Sequence, residues 1–510
     1  MNITMSRVVH ASVWTSLTLS FLLAASEVAA QAPNRVITLE DALQLAESRS
    51  EQMVIAKAGV DRADADLTRA RSDLFPQLSA SASYDRALAS EFEGLFEEGD
   101  SSGDFGEFED LPFGRKNTYR FNLSFSQNLF SGGRIGAQAA IAGAGRATAA
   151  INLSSTRAQL VLDVVRAYYD AALSERLLVI AEATYKQADA TFEQTRLSYQ
   201  AGSQPEFELL RAQVARDNQR PTIIRARATR DIAMLRLKQL LEIPANERIA
   251  ITAALESETL PPPAPFAAGV VLIEDTIPTI DRAPVRLAQS SVQQFEGNVD
   301  VARAQRFPTV NLTSSYGEVA YPSTVPVFND FRRNWIVGAI VQVPILNGGR
   351  LRAEEASARA EVRAAQARLQ QARELAQLDT QSAYEELRAA TASWEASAGT
   401  VQQAQRAYEI AELRYREGVS TQLELSDSRL LLVQAQATRA QAGRDLQVAR
   451  ARVALLPDLP LESTGAGGIG AGTPGLNQIT PQQATPAAQP GIIRALSTGA
   501  GQFGSGGGIR

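Results

Sequence analysis

The chain has no cysteine in its 510 residues, and its only histidine, His10, lies close to the start. Those two shortages exclude Cys or His nucleophile and base chemistry, and they remove the ligands that nearly all zinc sites need. Without disulfides, stability has to come from packing and assembly; without Cys, no lipid can be attached through a cysteine at a mature N-terminus. No Gly-rich loop ending in Lys-Ser or Lys-Thr is present, so nothing points to ATP. A net charge of -6 and a pI near 5.3 argue against nucleic acid as a partner. An enzyme would be left with carboxylates alone, and no paired acids stand in a cleft-forming context. The chain therefore reads as a non-enzyme without metal or cofactor.

What is present begins with the run SLTLSFLLAA, residues 16 to 25, preceded by Arg7 and followed by VAA before Gln31. This is the pattern of a secretory signal cleaved after Ala30, and it is too short for a membrane span. From about residue 40 to 456 the composition does not change class. Within that stretch the sequence repeats. Leu129-Phe130-Ser131-Gly132-Gly133-Arg134 matches Ile345-Leu346-Asn347-Gly348-Gly349-Arg350 at an offset of 216, and the same offset carries Tyr168 onto Tyr384, Tyr199 onto Tyr415, Gly202 onto Gly418 and Arg236 onto Arg452. Phe75-Pro76 matches Phe307-Pro308 at an offset of 232. The difference places an insertion in the first copy, where the acidic stretch Glu91 to Asp110 lies. That stretch lacks the spacing of a calcium loop and reads as a solvated loop.

Between Pro and Gly-Gly the pattern has period two. Leu78, Ala80, Ala82 and Tyr84 alternate with Gln77, Ser79, Ser81 and Ser83, and Tyr119, Phe121, Leu123 and Phe125 alternate with Arg120, Asn122, Ser124 and Ser126. The second copy supplies TVNLTSSY and the less regular run Trp335 to Val343. Such strands fit a membrane β-barrel enclosing water or a soluble sandwich. Four strands cannot close a barrel, and an open edge cannot sit in lipid, so a barrel would need several chains. The rest is helical. Arg350 to Arg416 contains no Pro and is rich in Ala, Arg, Gln and Glu, which predicts a helix of roughly 100 Å. Small Ala side chains and sparse apolar positions suit coiled-coil seams, either in a hairpin with Thr421 to Leu456 or in a free stalk.

The chain divides into a signal (1–30), a first repeat (31–241, strand pair about 77–128, tip near 202), a linker (242–284, containing PPPAP), a second repeat (285–456, strand pair about 309–345, tip near 418) and a tail (457–510). The tail is rich in Gly, Pro and Gln and is expected to lack a packed core.

A signal, then two copies of helix, strand pair and helical hairpin with FP and GGR signatures, together resemble the TolC family of outer-membrane efflux ducts. The resemblance covers about residues 36 to 456. It implies a mixed α and β fold: four strands per chain in a homotrimer's transmembrane barrel, continued by helical coiled-coil hairpins that form a periplasmic tunnel. It further implies a passive conduit in the outer-membrane lipid, served by an inner-membrane pump and a periplasmic adaptor, in efflux or type I secretion. The alternative without it is a periplasmic coiled-coil adaptor or stalk, which explains the helices but not the duplicated strands.

By the same resemblance, Glu424 and Asp427 are the aperture acids, three apart and able to share a helix face. Tyr415 and Glu208 correspond to an inter-hairpin latch whose Arg position is Ser420, which loses a charge-assisted contact unless Arg414 or Arg416 supplies it. Leu197, Ser198, Gly202, Ser203, Gly418 and Val419 fall where an adaptor docks, although the two Gly can equally be there for their turns.

Overall fold

The computed structural model of the protein describes residues 35–89, 116–253, 255, 259–266, 281–322, 325 and 330–461. The expected signal, the acidic stretch and the tail beyond Leu461 lie outside the described residues. The chain opens with β1 (Arg35–Ile37), α1 (Leu39–Arg49) and α2 (Glu51–Ser72). Thr38 and Asp41 close a capping box on α1, and the Thr38 hydroxyl and N–H donors hold the Asp41 carboxyl below its usual range.

Phe75-Pro76 then turns the chain into β2 (Gln77–Arg86), since the residue before a proline is driven to extended backbone. Next come β3 (Asn117–Phe130), α3 (Arg134–Gln200), α4 (Glu206–Asp217), α5 (Gln219–Leu240) and β4 (Ile249–Ile251). The second repeat runs through α6 (Ala283–Ala304), β5 (Thr309–Ala320), β6 (Arg332–Gln342), α7 (Arg350–Arg416) and α8 (Gln422–Leu455). Each Gly-Gly pair has positive φ at both residues, 62° and 91° at Gly132 and Gly133 and 57° and 85° at Gly348 and Gly349. Two left-handed residues in succession turn a strand into a helix, which only Gly does without strain. At Gly132 a Cβ would also strike Phe307 and the Ala304 carbonyl.

The four long strands form one antiparallel sheet in the order β2-β3-β5-β6. Its register pairs Leu78 with Phe125, Ala80 with Leu123, Ala82 with Phe121 and Tyr84 with Tyr119, so both apolar sets lie on one face. Tyr316 and Trp335 pair on that same face with their rings edge to face, and the Trp335 N–H donates to Ser314. The opposite face carries Ser81, Asn122, Ser315 and Asn334, with Ser315 donating to Asn122 and Arg120 paired to Asp85. β6 alternates poorly because Ile336 and Ile340 point to the polar side. Neither β2 nor β6 has a neighbour on its outer edge among the described residues. No described helix is long and apolar enough to cross a membrane.

The helices pack as α3 with α2, α5, α6 and α8, and as α7 with α6 and α8. One core gathers Ile37, Leu43, Val164, Val165, Tyr168 and Leu237; a second gathers Tyr384, Leu387, Trp394 and Leu446. Fully burying a Leu such as Leu446 contributes about 2–3 kcal/mol. The segment read as a linker is built into this framework. β4 pairs in parallel with β1, Leu255 and Phe266 are buried, and the carbonyls of Leu260 and Pro261 accept from Arg450 and Gln447 of α8. Packing likewise runs past residue 457, with Leu459 buried and Asp458 paired to Arg286.

Two charge clusters lock helices together. Arg282, 1 % exposed, donates to Asp379 at 2.6 Å and Thr380 at 3.0 Å, and Asp379 also takes Arg452 at 3.0 Å. Where the helices leave the sheet, Arg303, Arg306 and Arg359 converge on Glu355, which is 2 % exposed. Each buried carboxylate has cations on more than one side, which offsets its desolvation.

Candidate functional site

The far ends of the hairpins, away from the sheet, carry the residues singled out from the sequence. Both turns are built alike. α3 ends in Gly202 with φ 75°, where the Gly202 and Ser203 N–H groups donate to Tyr199 and Ser198 carbonyls; α7 ends in Gly418 with φ 73°, where Gly418 and Val419 donate to Tyr415 and Arg414. This pair of bonds around a left-handed residue satisfies helix-end carbonyls and reverses the chain. The following helices start differently. The Thr421 hydroxyl accepts from the Glu424 N–H at the start of α8, whereas Pro205 holds the same place before α4 with no side-chain cap.

Around those turns Leu197, Gly202, Ser203, Gly418 and Val419 are exposed, and Ser198 is half-buried. Glu424 and Asp427 are both placed on α8, Glu424 exposed and Asp427 next to it on the side away from the buried Gln422, Leu425, Arg429 and Leu432. Glu424 has Arg414 of α7 at 3.6 Å. Burial pulls the Arg429 guanidinium below its usual value and pushes the Tyr408 hydroxyl beside it above its own.

The two hairpins meet through a set of contacts that differs from the expected latch. The Tyr415 hydroxyl shares a 2.8 Å hydrogen bond with the buried Thr195 hydroxyl of α3, not with Glu208. Glu208 lies on α4, where α8 rather than α7 reaches it. With its amide turned to satisfy both neighbours, buried Gln422 donates to Glu208 at 3.2 Å and accepts from the Ala212 N–H at 3.1 Å. Of the two nearby arginines, Arg414 faces Glu424 and Arg416 pairs with Glu412 at 2.7 Å within the chain. The Ser420 hydroxyl is buried with no hydrogen-bond partner among the described residues. Higher up, Arg444 of α8 joins Asp170 of α3 at 2.7 Å.

Sequence reading missed Thr195, Gln422, Asp170 and Arg444. Thr195 and Gln422 had one available signal: polar side chains at helix positions that the apolar period assigns to the buried side. Among the described residues no cluster of His, Asp or Glu could hold a metal ion. What the arrangement can do is keep two hairpins side by side and present carboxylates beside their turns.

Comparisons with known proteins agree with this architecture. The family model described as outer membrane efflux protein matches residues 42–242 and 281–456, one segment in each repeat. The chain is 26 % identical over 396 residues to nodulation protein T of Rhizobium leguminosarum bv. trifolii, covering 75 % of this chain and 77 % of that protein. It is 27 % identical over 428 residues to the pyoverdine export outer membrane protein OpmQ of Pseudomonas putida, covering 82 % and 84 %. Its fold is similar to that of the outer membrane protein VceC of Vibrio cholerae, with a TM-score of 0.63 at 19 % identity over 82 % of this chain and 96 % of the other. A duplicated chain with a four-stranded sheet, long helical hairpins and a family match in both repeats belongs to the outer membrane efflux protein family, the channel components of efflux pumps.

Proposed function

We propose that three copies of this chain join their sheets into a twelve-stranded barrel in the outer membrane, with the hairpins continuing as a periplasmic tunnel. The observation that carries this reading is the sheet itself. It has one apolar face, one polar face and, among the described residues, two open edges, and such an edge is tolerated in lipid only when another chain pairs with it. Substrate passes through without chemical change. An inner-membrane pump supplies the energy, and a periplasmic adaptor docks on the turns at Leu197, Ser198, Gly202, Ser203, Gly418 and Val419.

At the tunnel's end Glu424 and Asp427 from three chains form an acidic ring that favours cations, as carboxylate rings do in channels. Because Arg414 partly offsets Glu424, Asp427 carries the larger share of that field. Tyr415, Glu208 and Ser420 form a loosened latch, in which Thr195 and Gln422 take over the contacts. Outer-membrane fractions should yield a trimer that dissociates only on heating. In planar bilayers, Asp427→Asn should lower the cation-to-anion permeability ratio more than Glu424→Gln does; unchanged selectivity in the double variant removes both residues from the aperture.

A further inference from the structure

The end of the sheet that meets the helices is marked by charge of one sign. Four segments make the crossings, 69–76, 131–138, 303–308 and 343–355, and together they hold seven arginines, three acids and no lysine, in a chain whose net charge is -6. Helix stability accounts for only part of this. Arg69, Arg71 and Arg303 lie in the last turns of α2 and α6, where a cation suits the helix dipole. Arg134, and the pair Arg350 and Arg352, open α3 and α7, where a cation opposes the dipole, and neither first turn holds an acid. Two of the three acids are already taken. Glu355 is buried among Arg303, Arg306 and Arg359, and Glu354 pairs with Arg350 at 2.5 Å. Arg71 and Arg352 are exposed and make no ion pair among the described residues.

Next to these arginines, on the side of the sheet, apolar side chains stand uncovered. β3 shifts register between Asn128 and Phe130, which sets Phe130 opposite Val310 and, through it, level with Val341 on the apolar face. Leu74, Phe75 and Phe307 are exposed just before the strands, and Ile345 and Leu346, just after β6, are 91 % and 94 % exposed. Arg71 stands one helical turn from Phe75, about 6 Å at 1.5 Å per residue. An apolar and aromatic band followed within one turn by guanidiniums is the profile of a bilayer interface, with rings at headgroup level and long cationic side chains reaching phosphates. The guanidinium fork matches phosphate oxygens two at a time. Charge selects among lipids. A zwitterionic headgroup brings an ammonium, and the one acid in these segments without an arginine partner among the described residues is Asp73, whereas an anionic headgroup meets the arginine excess with no cation of its own.

We propose that this arginine belt binds the phosphates of anionic phospholipids in the leaflet nearest the helices, while the apolar side chains beside it lie among the acyl chains of the same lipids. The proposal rests on the barrel put forward above and adds a headgroup preference that a barrel alone does not require.

Full-length protein in vesicles of phosphatidylcholine and phosphatidylglycerol, with bromine on the acyl chains of one lipid or the other, reports by quenching which lipid lies beside a tryptophan. In a Trp335→Phe background, Leu346→Trp puts the probe at the belt; Trp394 is buried among the helices and adds a constant signal. Brominated phosphatidylglycerol should quench this probe at least about threefold more strongly than brominated phosphatidylcholine at equal mole fraction. The ratio should fall toward one in Arg71→Gln/Arg352→Gln, which leaves the Glu355 cluster intact. It should fall likewise, with all arginines in place, when salt is raised from about 0.05 M to about 0.5 M. Equal quenching by the two lipids, or a preference unchanged by the double variant or by salt, overturns the proposal. Quenching of the native Trp335 on the apolar face, with none by either lipid at the Leu346→Trp probe, means that protein covers the belt; it overturns the proposal and leaves the barrel standing. If neither lipid quenches Trp335, the barrel fails and the proposal with it.

Discussion

The two helical hairpins began as copies and ended in different company. In the second, α8 is one helix of 34 residues that buries a side against α7 and a side against α3. In the first, the same stretch is split into α4 and α5 at Asn218, packs mainly on α3, and leaves Phe207 and Ile224 66 % and 68 % exposed. A local cause for the split is Pro221, whose missing N–H and ring break the helical ladder one turn upstream; the matching residue in α8 is Ala437, a strong helix former. The difference teaches that the repeat sets what each element is, while its neighbours decide how much of it is buried.

The deepest contrast is electrostatic. Asp379 and Arg452 form a buried pair completed by Arg282, whereas their counterparts Asp163 and Arg236 do not meet: Asp163 turns to Gln159 and Arg166, and Arg236 is exposed. Replacing Asp379 with Ala leaves two buried guanidiniums without their shared carboxylate, and should cost about 3–5 kcal/mol. Asp163→Ala should cost less than about 1 kcal/mol. Thermal unfolding of the detergent-solubilised protein compares them directly, and equal losses would mean that the repeats are anchored alike.

A smaller effect is expected at Gly443, where an added Cβ would lie 2.9 Å from both the Trp394 ring and the Leu255 carbonyl. Gly443→Ala should therefore destabilise by about 1–3 kcal/mol, because neither ring nor backbone can easily retreat. Wild-type stability in this variant would show that α8 is held less tightly by the inter-repeat segment than the close approach implies.

At the turns, Thr421→Ala removes a helix cap, worth about 1 kcal/mol, whereas Pro205→Ala removes no side-chain cap bond. Hydrogen exchange should quicken in the first turn of α8 in the former and change little at α4 in the latter. Smallest of all, Pro221→Ala gives the first repeat the residue of the second and should slow exchange around residues 218–222; unaltered exchange would place the cause of the split outside the proline.

Much of the fold was legible because its determinants are local. The alternation of Leu78 to Tyr84 and of Tyr119 to Phe125 marks two strands and their apolar faces, the Pro-free run from Arg350 marks α7, and both Gly-Gly pairs and both tip glycines occupy positive φ. The site was legible only in outline. Glu424 and Asp427 lie close together on α8, but the contact of Tyr415 with Thr195 within the chain was not legible, because residue type and spacing do not say which of several similar helices faces which. The segment 242–284 reads from its prolines as the link between the repeats, but its packing was not legible for a related reason: Leu255 and Phe266 go to a core formed by residues far away in the chain.

The sequence by itself determined the duplication, the four amphipathic strands, the long helices and the places where the chain reverses. Each of these follows from periodicity or from a backbone angle that one residue type tolerates. Only the tertiary structure decided that Thr195 meets Tyr415, that Gln422 meets Glu208, and that Arg282 shares Asp379 with Arg452. Those pairings join residues far apart in the chain, and among helices of nearly uniform composition they are selected by packing geometry.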